Sequence, residues 1–198
     1  MKKIFLVVMF VLAAQSATAD DVAVKIDGKM SSVVVKGIEG DVTITRDQNQ
    51  DATINPKYAK TSRACPPFCI QPMQVALGVI TVGELELLEF AKAGGKIIDG
   101  RTIDWHLEGT IPSAINMPYT EMAGRLDEVG CVKGGDAKWD CKNAQKVLLF
   151  CNGPWCGQSP IAIRAMLREG YPPEKILYYR GGMQGWNSLG LSVVEGDF

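Results

Sequence analysis

An α/β domain built on a central parallel sheet, preceded by a small β-rich appendage, is the fold class that this 198-residue sequence predicts. Three observations carry the prediction. From Gly78 onward, strand-like and helix-like segments alternate, the order that produces parallel sheets covered by helices. One of those strands, "KVLLFC" at 146–151, is an unbroken apolar run, as a central strand buried on both faces requires. Residues 20–60 instead alternate apolar and polar positions in "VAVKI", "SSVVVKG" and "DVTITRD", the pattern of short half-buried strands separated by Asp, Gly and Lys turns.

The chain opens "MKKIFLVVMFVLAAQSATAD", two lysines and a short apolar run followed by small residues ending Ala17-Thr18-Ala19. That is the layout of a cleavable secretory signal, and the apolar run is too short for a membrane anchor. Cleavage near Ala19 is expected, leaving an exported protein, periplasmic or secreted, with no membrane insertion of the mature chain. Cleavage removes Lys2 and Lys3 and no acid, so the formal charge goes from −1 to −3. So mild a balance excludes an electrostatic footprint for nucleic acid or anionic lipid.

The expected organisation is a signal at 1–19, a β-rich appendage at 20–60, a Cys/Pro-rich connector at 61–77, the α/β domain at 78–194 and a short tail at 195–198. The appendage reads as a hairpin or three strands packed on the main domain, a docking or solubilising element. In the connector "SRACPPFCIQPMQ", the prolines preclude a regular helix. "GVITVGELELLEFAKAGG" then predicts a helix with Thr81 as N-cap, Glu84 completing a capping box and glycines at the stop. "KIIDGR" is a short buried strand, and "EVGCVKGGDAKWDCKNAQ" a polar surface excursion before the central strand. Beyond it, Ser159 as N-cap and Pro160 at the first helical position start a helix, "SPIAIRAMLREG", that Gly170 closes. "KILYYRGG" is the third strand candidate, followed by a short helix around "MQGW".

Six cysteines are present: Cys65, Cys69, Cys131, Cys141, Cys151 and Cys156. An even number in an exported chain suggests disulfides, and local pairing is the first expectation: Cys65 with Cys69, Cys131 with Cys141, Cys151 with Cys156. A Cys131–Cys141 bridge would close the polar excursion and stabilise the fold by about 2 to 3 kcal/mol. Cys65 and Cys69, restrained by prolines, read as a structural staple. A four-thiol site joining them to Cys151 and Cys156 would depart from Cys-x-x-Cys spacing, so no metal and no cofactor is expected.

The chemistry concentrates in "FCNGPWCGQSP". A cysteine that leaves a central parallel strand into a tight loop before a helix meets loop amides and the helix N-terminus, which stabilise its thiolate. Cys151 and Cys156 both lie there. Trp155-Cys156-Gly157-Gln158-Ser159 looks like a thioredoxin turn whose second cysteine has become serine. A thioredoxin fold would place that turn after its first core strand with a long α/β remainder, and here the chain soon ends.

Two flanking segments resemble the signatures of rhodanese domains. "KIIDGRTIDWHLEGTIPSAINMPY" is similar to the first, with Asp99, Arg101, Gly109, Ile111, Pro112, Ala114, Asn116 and Pro118 on the pattern and Thr110 and Ser113 in place of the usual His and Gly. "YYRGGMQGWNSLGLSVV" is similar to the closing one, with Gly181, Gly182, Trp186 and Gly190 in place. The resemblance covers about residues 78–194 and implies a three-layer α/β/α domain. It also implies a sulfurtransferase in which Cys151 takes a sulfane sulfur from a small donor such as thiosulfate or a persulfide. The sulfur is held as a persulfide and passed to a thiol acceptor, small or on a protein. Asn152, Gly153, Pro154, Trp155, Gly157, Gln158 and Ser159 would form the substrate loop, their amides cradling the extra sulfur. The loop is longer than the family's common one, and Gln158 stands where Arg or Lys usually precedes the serine. Arg101, a candidate supporting cation, is in the family more often a fold-stabilising residue.

Cys156, inside the loop, is a candidate resolving partner of Cys151, which keeps a thiol–disulfide module open as a second function and a non-catalytic binding module as a third. His106, the only histidine, is expected at the surface, since no triad can be built around it. Trp186, Tyr178 and Tyr179 are expected in the core, and Trp155 as either core or a wall of the loop.

Overall fold

The computed structural model describes residues 22–197, so the expected signal segment lies outside the described residues. Strands β1 (Ser32–Lys36) and β2 (Asp41–Thr45) form an antiparallel hairpin, followed by a one-turn helix α1 (Pro56–Ala59). Then come β3 (Ile80–Val82), α2 (Glu84–Lys92), β4 (Lys96–Asp99), α3 (Ile103–Leu107) and β5 (Ala114–Asn116). A two-stranded excursion, β6 (Val132–Lys133) and β7 (Trp139–Asp140), precedes β8 (Val147–Phe150), α4 (Gln158–Arg168), β9 (Ile176–Tyr179) and α5 (Gly182–Ser188).

The five-stranded sheet runs in the order β3-β9-β8-β4-β5 with every pair parallel. The apolar run 147–150 is its central strand, buried at all four positions. Alternation divides its side chains between two cores. Val147 and Leu149 face Ala162, Ile163 and Met166 of α4, whereas Leu148 and Phe150 face Leu87, Leu88 and Ala91 of α2 and Met183 and Trp186 of α5. These are the three layers the resemblance implied.

The hairpin joins the second core through Val33, Val35 and Ile44, none more than 3% exposed. Each such burial contributes about 1.5 to 3 kcal/mol, so the appendage is fastened to the domain by packing. The chain after α5 returns to it: the Asp47 amide donates to the Gly190 carbonyl at 2.6 Å and the Ser192 amide to the Thr45 carbonyl at 3.0 Å.

Several local expectations shift. β3 and β5 are three-residue edge strands that the pattern did not separate from their surroundings. Thr81 lies in β3 and does not cap α2. Gly83 does, its amide donating to Glu86 at 3.0 Å, because the strand ladder to β9 claims Thr81 first. α4 begins at Gln158 with Gly157 as its cap, which moves Ser159 and Pro160 inside the first turn. Gly170, at φ 88°, follows the helix as expected. The sulfurs of Cys131 and Cys141 meet beneath the 131–141 excursion (Cα–Cα 4.2 Å), and those of Cys65 and Cys69 meet in the connector (Cα–Cα 4.7 Å).

Candidate active site

The loop 151–157 leaves the C-terminal edge of the central strand and is held from three sides. Below it, the Gly100 amide at the end of β4 donates to the Phe150 carbonyl at 3.0 Å. Beside it, the N-terminus of α5 supplies the Met183 amide to the Cys151 carbonyl and the Gln184 amide to the Asn152 carbonyl, each at 2.9 Å. Above it, the connector supplies the Gln71 amide to the Pro154 carbonyl at 2.8 Å. Within it, the Cys156 amide donates to the Gly153 carbonyl at 2.9 Å and closes the turn.

Cys151 and Cys156 are the free cysteines among the described residues, and both are buried. The Cys151 thiol donates to the Cys156 backbone carbonyl at 3.3 Å, and the surroundings of the two sulfurs differ. Cys156 receives the Cys151 thiol, the Asn152 and Gln158 amides and the Asn152 side chain. Those donors outweigh burial and hold its pKa down to about 7. Cys151 is fully buried, so the cost of desolvating a charge, with the Cys156 sulfur beside it, pushes its thiol well above the ordinary range, and the nearby Ser159 only partly offsets the rise. The pair therefore loses its first proton from Cys156 near neutral pH, and the proton that remains resides on Cys151. Gln158, in the position where a cation was expected, places its side-chain oxygen 3.4 Å from the Cys156 sulfur.

The sequence-derived site residues fall into two groups. Cys151, Asn152, Gly153, Pro154, Trp155, Cys156, Gly157, Gln158 and Ser159 come together in the loop and the first turn of α4. Trp155 is a wall: its indole N–H donates to Gln184 at 2.7 Å and its ring meets Phe68 of the connector edge to face. Trp186, Tyr178 and Tyr179 are core residues.

Arg101 is fully buried against Phe150 and bound to Asp99. Asp99 accepts from the Arg101 amide and guanidinium, from Thr110 at 2.9 Å and from a ring nitrogen of His106 at 3.0 Å. The surface expectation for His106 is thereby corrected. The residue is on α3, and a buried carboxylate draws its ring inward because each unshared lone pair there would be costly. Thr110, standing where the resemblance expected histidine, supplies another donor to the same carboxylate.

Sequence reasoning missed the connector's part in the site. Gln71, Arg63 and Phe68 touch the loop, and Arg180 fixes the connector by two hydrogen bonds to the Gln71 carbonyl at 2.9 and 3.0 Å. Gln184 was also unseen, although it ties Trp155 to the Tyr58 carbonyl. These contacts join residues far apart in the chain, and no local pattern announces them.

Gly182 sets the approach of α5. Its φ is 55°, and a Cβ there would stand 2.3 Å from the Cys151 carbonyl and 2.6 Å from the Gly153 amide, both backbone atoms that cannot yield cheaply. Gly182→Ala is expected to push the loop amides off the sulfurs. The first thiol midpoint should then move from about 7 toward 9, with stability lowered by about 1 to 3 kcal/mol. Thiolate absorbance against pH, with thermal melting as a control, measures both; an unmoved midpoint would show that α5 does not set the loop.

Comparison with known proteins finds the following similarities. A thiosulfate sulfurtransferase from Pseudomonas aeruginosa is 24% identical with a TM-score of 0.46, covering 60% of this chain and 21% of that one. A human single-domain sulfurtransferase is 20% identical with a TM-score of 0.40, covering 54% of this chain and 93% of that one. An HTH-type transcriptional regulator from Mycobacterium tuberculosis is 32% identical over 112 residues, 56% of this chain and 43% of that protein. The chain thus spans less than half the length of that curated relative. The family described as "Rhodanese-like domain" matches residues 84–189. That stretch, over half of the chain, runs from the first residue of α2 to the end of α5 and encloses β4, β8, the cysteine loop and β9, so the chain belongs to the family of rhodanese-like domains.

Proposed function

We propose that this protein is a sulfurtransferase that carries a sulfane sulfur on Cys151. The observation that supports it most is the position of that cysteine: first residue after the central strand, in a loop walled by α4 and α5, its thiol donating to the backbone carbonyl of the acidified Cys156. Cys151 attacks the outer sulfur of a donor such as thiosulfate or a small persulfide, and its proton passes to the Cys156 thiolate. The donor departs as sulfite or as a thiolate, leaving a Cys151 persulfide. A thiolate acceptor, free or on a protein, then attacks the terminal sulfur, and Cys151 regains its proton from Cys156. Atoms and electrons balance without a cofactor, and the loop amides hold the negative terminal sulfur. The reaction fits an exported protein in which Cys65–Cys69 and Cys131–Cys141 are disulfides and only the loop thiols stay free.

Incubating the reduced protein with a sulfane donor and weighing it intact tests this. A single added sulfur is expected in the wild type and in Cys156→Ser, and none in Cys151→Ser. An adduct that survives Cys151→Ser would overturn the assignment.

The placement of both free thiols in one loop, with the Cys151 thiol donating to the Cys156 carbonyl at 3.3 Å, favours a second reading, in which Cys156 attacks the inner sulfur of the Cys151 persulfide and releases hydrosulfide. The product is a Cys151–Cys156 disulfide, which an external thiol must reduce before the next cycle.

A further inference from the structure

Against Trp155 lies a cavity of about 520 Å³ lined in part by Thr61, Ser62, Arg63, Phe68, Ile70 and Trp155. Apart from Trp155 its lining comes from the connector, which lies outside the matched residues 84–189. Arg63 is the one charged residue in that lining. Its guanidinium carbon sits 4.3 Å from the centre of the Trp155 ring and 5.1 Å from that of Phe68. One terminal nitrogen donates to the Lys57 carbonyl at 3.3 Å, whereas Nε is buried without a partner. Among the described residues no carboxylate comes within 4.0 Å of this guanidinium. A cation stacked on aromatic rings, with a donor unused and no counter-ion, is arranged to receive an anion.

We propose that this cavity binds the anionic end of an organic sulfane-sulfur donor, a persulfide or thiosulfonate whose carboxylate or sulfonate pairs with Arg63 while its carbon chain lies on Phe68, Ile70 and Trp155. The proposal rests on the sulfur-transfer reading and names its donor class. Neither Cys151 nor Cys156 lines the cavity, although Cys156 directly follows Trp155. An occupant anchored at Arg63 must therefore extend past the indole to reach a sulfur. Inorganic thiosulfate has no such reach, and Gln158 gives it no cation inside the loop. The connector thus supplies, from outside the domain, the positive charge that the loop lacks. It is kept in register by Gln71 on Pro154 and by Arg180 on Gln71.

Glutathione persulfide and thiosulfate serve as donor probes, with loading of Cys151 followed by intact mass in the wild type, Arg63→Gln and Arg63→Lys. Arg63→Gln is expected to raise KM for glutathione persulfide about tenfold with kcat within about twofold, and to leave thiosulfate kinetics unchanged. Arg63→Lys should recover part of the loss, because it keeps the charge and gives up the stack. Equal glutathione persulfide kinetics in the wild type and Arg63→Gln would overturn the subsite while leaving transfer through Cys151 intact. A second arm needs no turnover: S-methylglutathione, which has no sulfur to donate, should quench tryptophan fluorescence in the wild type but not in Trp155→Phe or Arg63→Gln. Binding of this kind in a protein that no donor can load would uphold the subsite and sink the transfer reading. Identical quenching in the wild type and Arg63→Gln would overturn the subsite itself.

Discussion

Asp99→Ala is expected to destabilise the protein by about 3 to 5 kcal/mol, the cost of leaving a buried charge without its partner. For a chain of this length that is a fall in Tm on the order of 10 °C. Arg101 is the charge left behind. Fully buried, its guanidinium donates to Asp99 through Nε at 2.8 Å and Nη2 at 2.5 Å, and its other contacts are the neutral Gly109 carbonyl at 2.7 Å and Tyr58 hydroxyl at 3.3 Å. Burial raises the Asp99 pKa, but the hydrogen bonds from Arg101 and His106 and the Arg101 charge outweigh it, and the net direction is down. A carboxyl depressed in the folded state stabilises the fold above its unfolded pKa, about 4, and that contribution is lost as pH falls through the folded value. The Asp99→Ala penalty should therefore be full at neutral pH and shrink below about pH 4. Chemical denaturation of the wild type and the variant across that range measures it. A double variant, Asp99→Ala with Arg101→Met, should recover much of the loss, since it removes the stranded charge as well. If the double variant is as unstable as the sum of the two singles, the pair is not coupled and the argument fails.

The position of that pair matters to the loop. Asp99 ends β4 opposite Phe150, and the next residue's amide holds the Phe150 carbonyl, so Asp99 and the cysteine loop share one hinge. This much was half legible in the sequence: Asp99 and Arg101 fall on a recognisable turn, but the hub they form was not. His106 had no partner nearby in the chain, and its carboxylate seven residues earlier sits in a strand whose burial reads only as apolar. The central strand was legible because four apolar residues in a row can be buried on both faces in one way. β3 and β5 were not, since three residues carry too little period to separate from a neighbouring helix or turn. The connector was opaque for another reason: its contacts with Pro154, Trp155 and Arg180 join residues 63–71 to residues more than 80 positions away. Prolines and cysteines announced a constrained segment without saying what it would be constrained against.

In the thiol pair, either single replacement is expected to raise the lowest thiol pKa above the wild-type value of about 7. Cys151→Ala removes the S–H donor that contributes most to lowering Cys156, so Cys156 should titrate higher. Cys156→Ser leaves Cys151, whose own value falls because the hydrogen bond and charge of Cys156 no longer oppose it, yet burial still keeps it above neutrality. A change from about 7 toward 9 lowers the thiolate fraction at pH 7 from roughly half to about 1%, on the order of fiftyfold. Alkylation of the wild type should thus rise through pH 7 and level off, while both variants remain slow until well above it. A wild-type midpoint near the ordinary thiol value would remove the basis for Cys156 as the proton acceptor. The same pair sets the lifetime of the carried sulfur. In the wild type a loaded Cys151 faces the Cys156 thiol, which, once it has given up its proton, attacks the inner sulfur, expels hydrosulfide and closes a disulfide; in Cys156→Ser that exit is shut. Loaded Cys156→Ser, freed of excess donor, should keep its added sulfur at least tenfold longer by intact mass, on the order of 1.4 kcal/mol in the decay barrier. Equal decay in the two proteins would leave Cys156 as a proton acceptor only, and would assign release of the sulfur to the external acceptor.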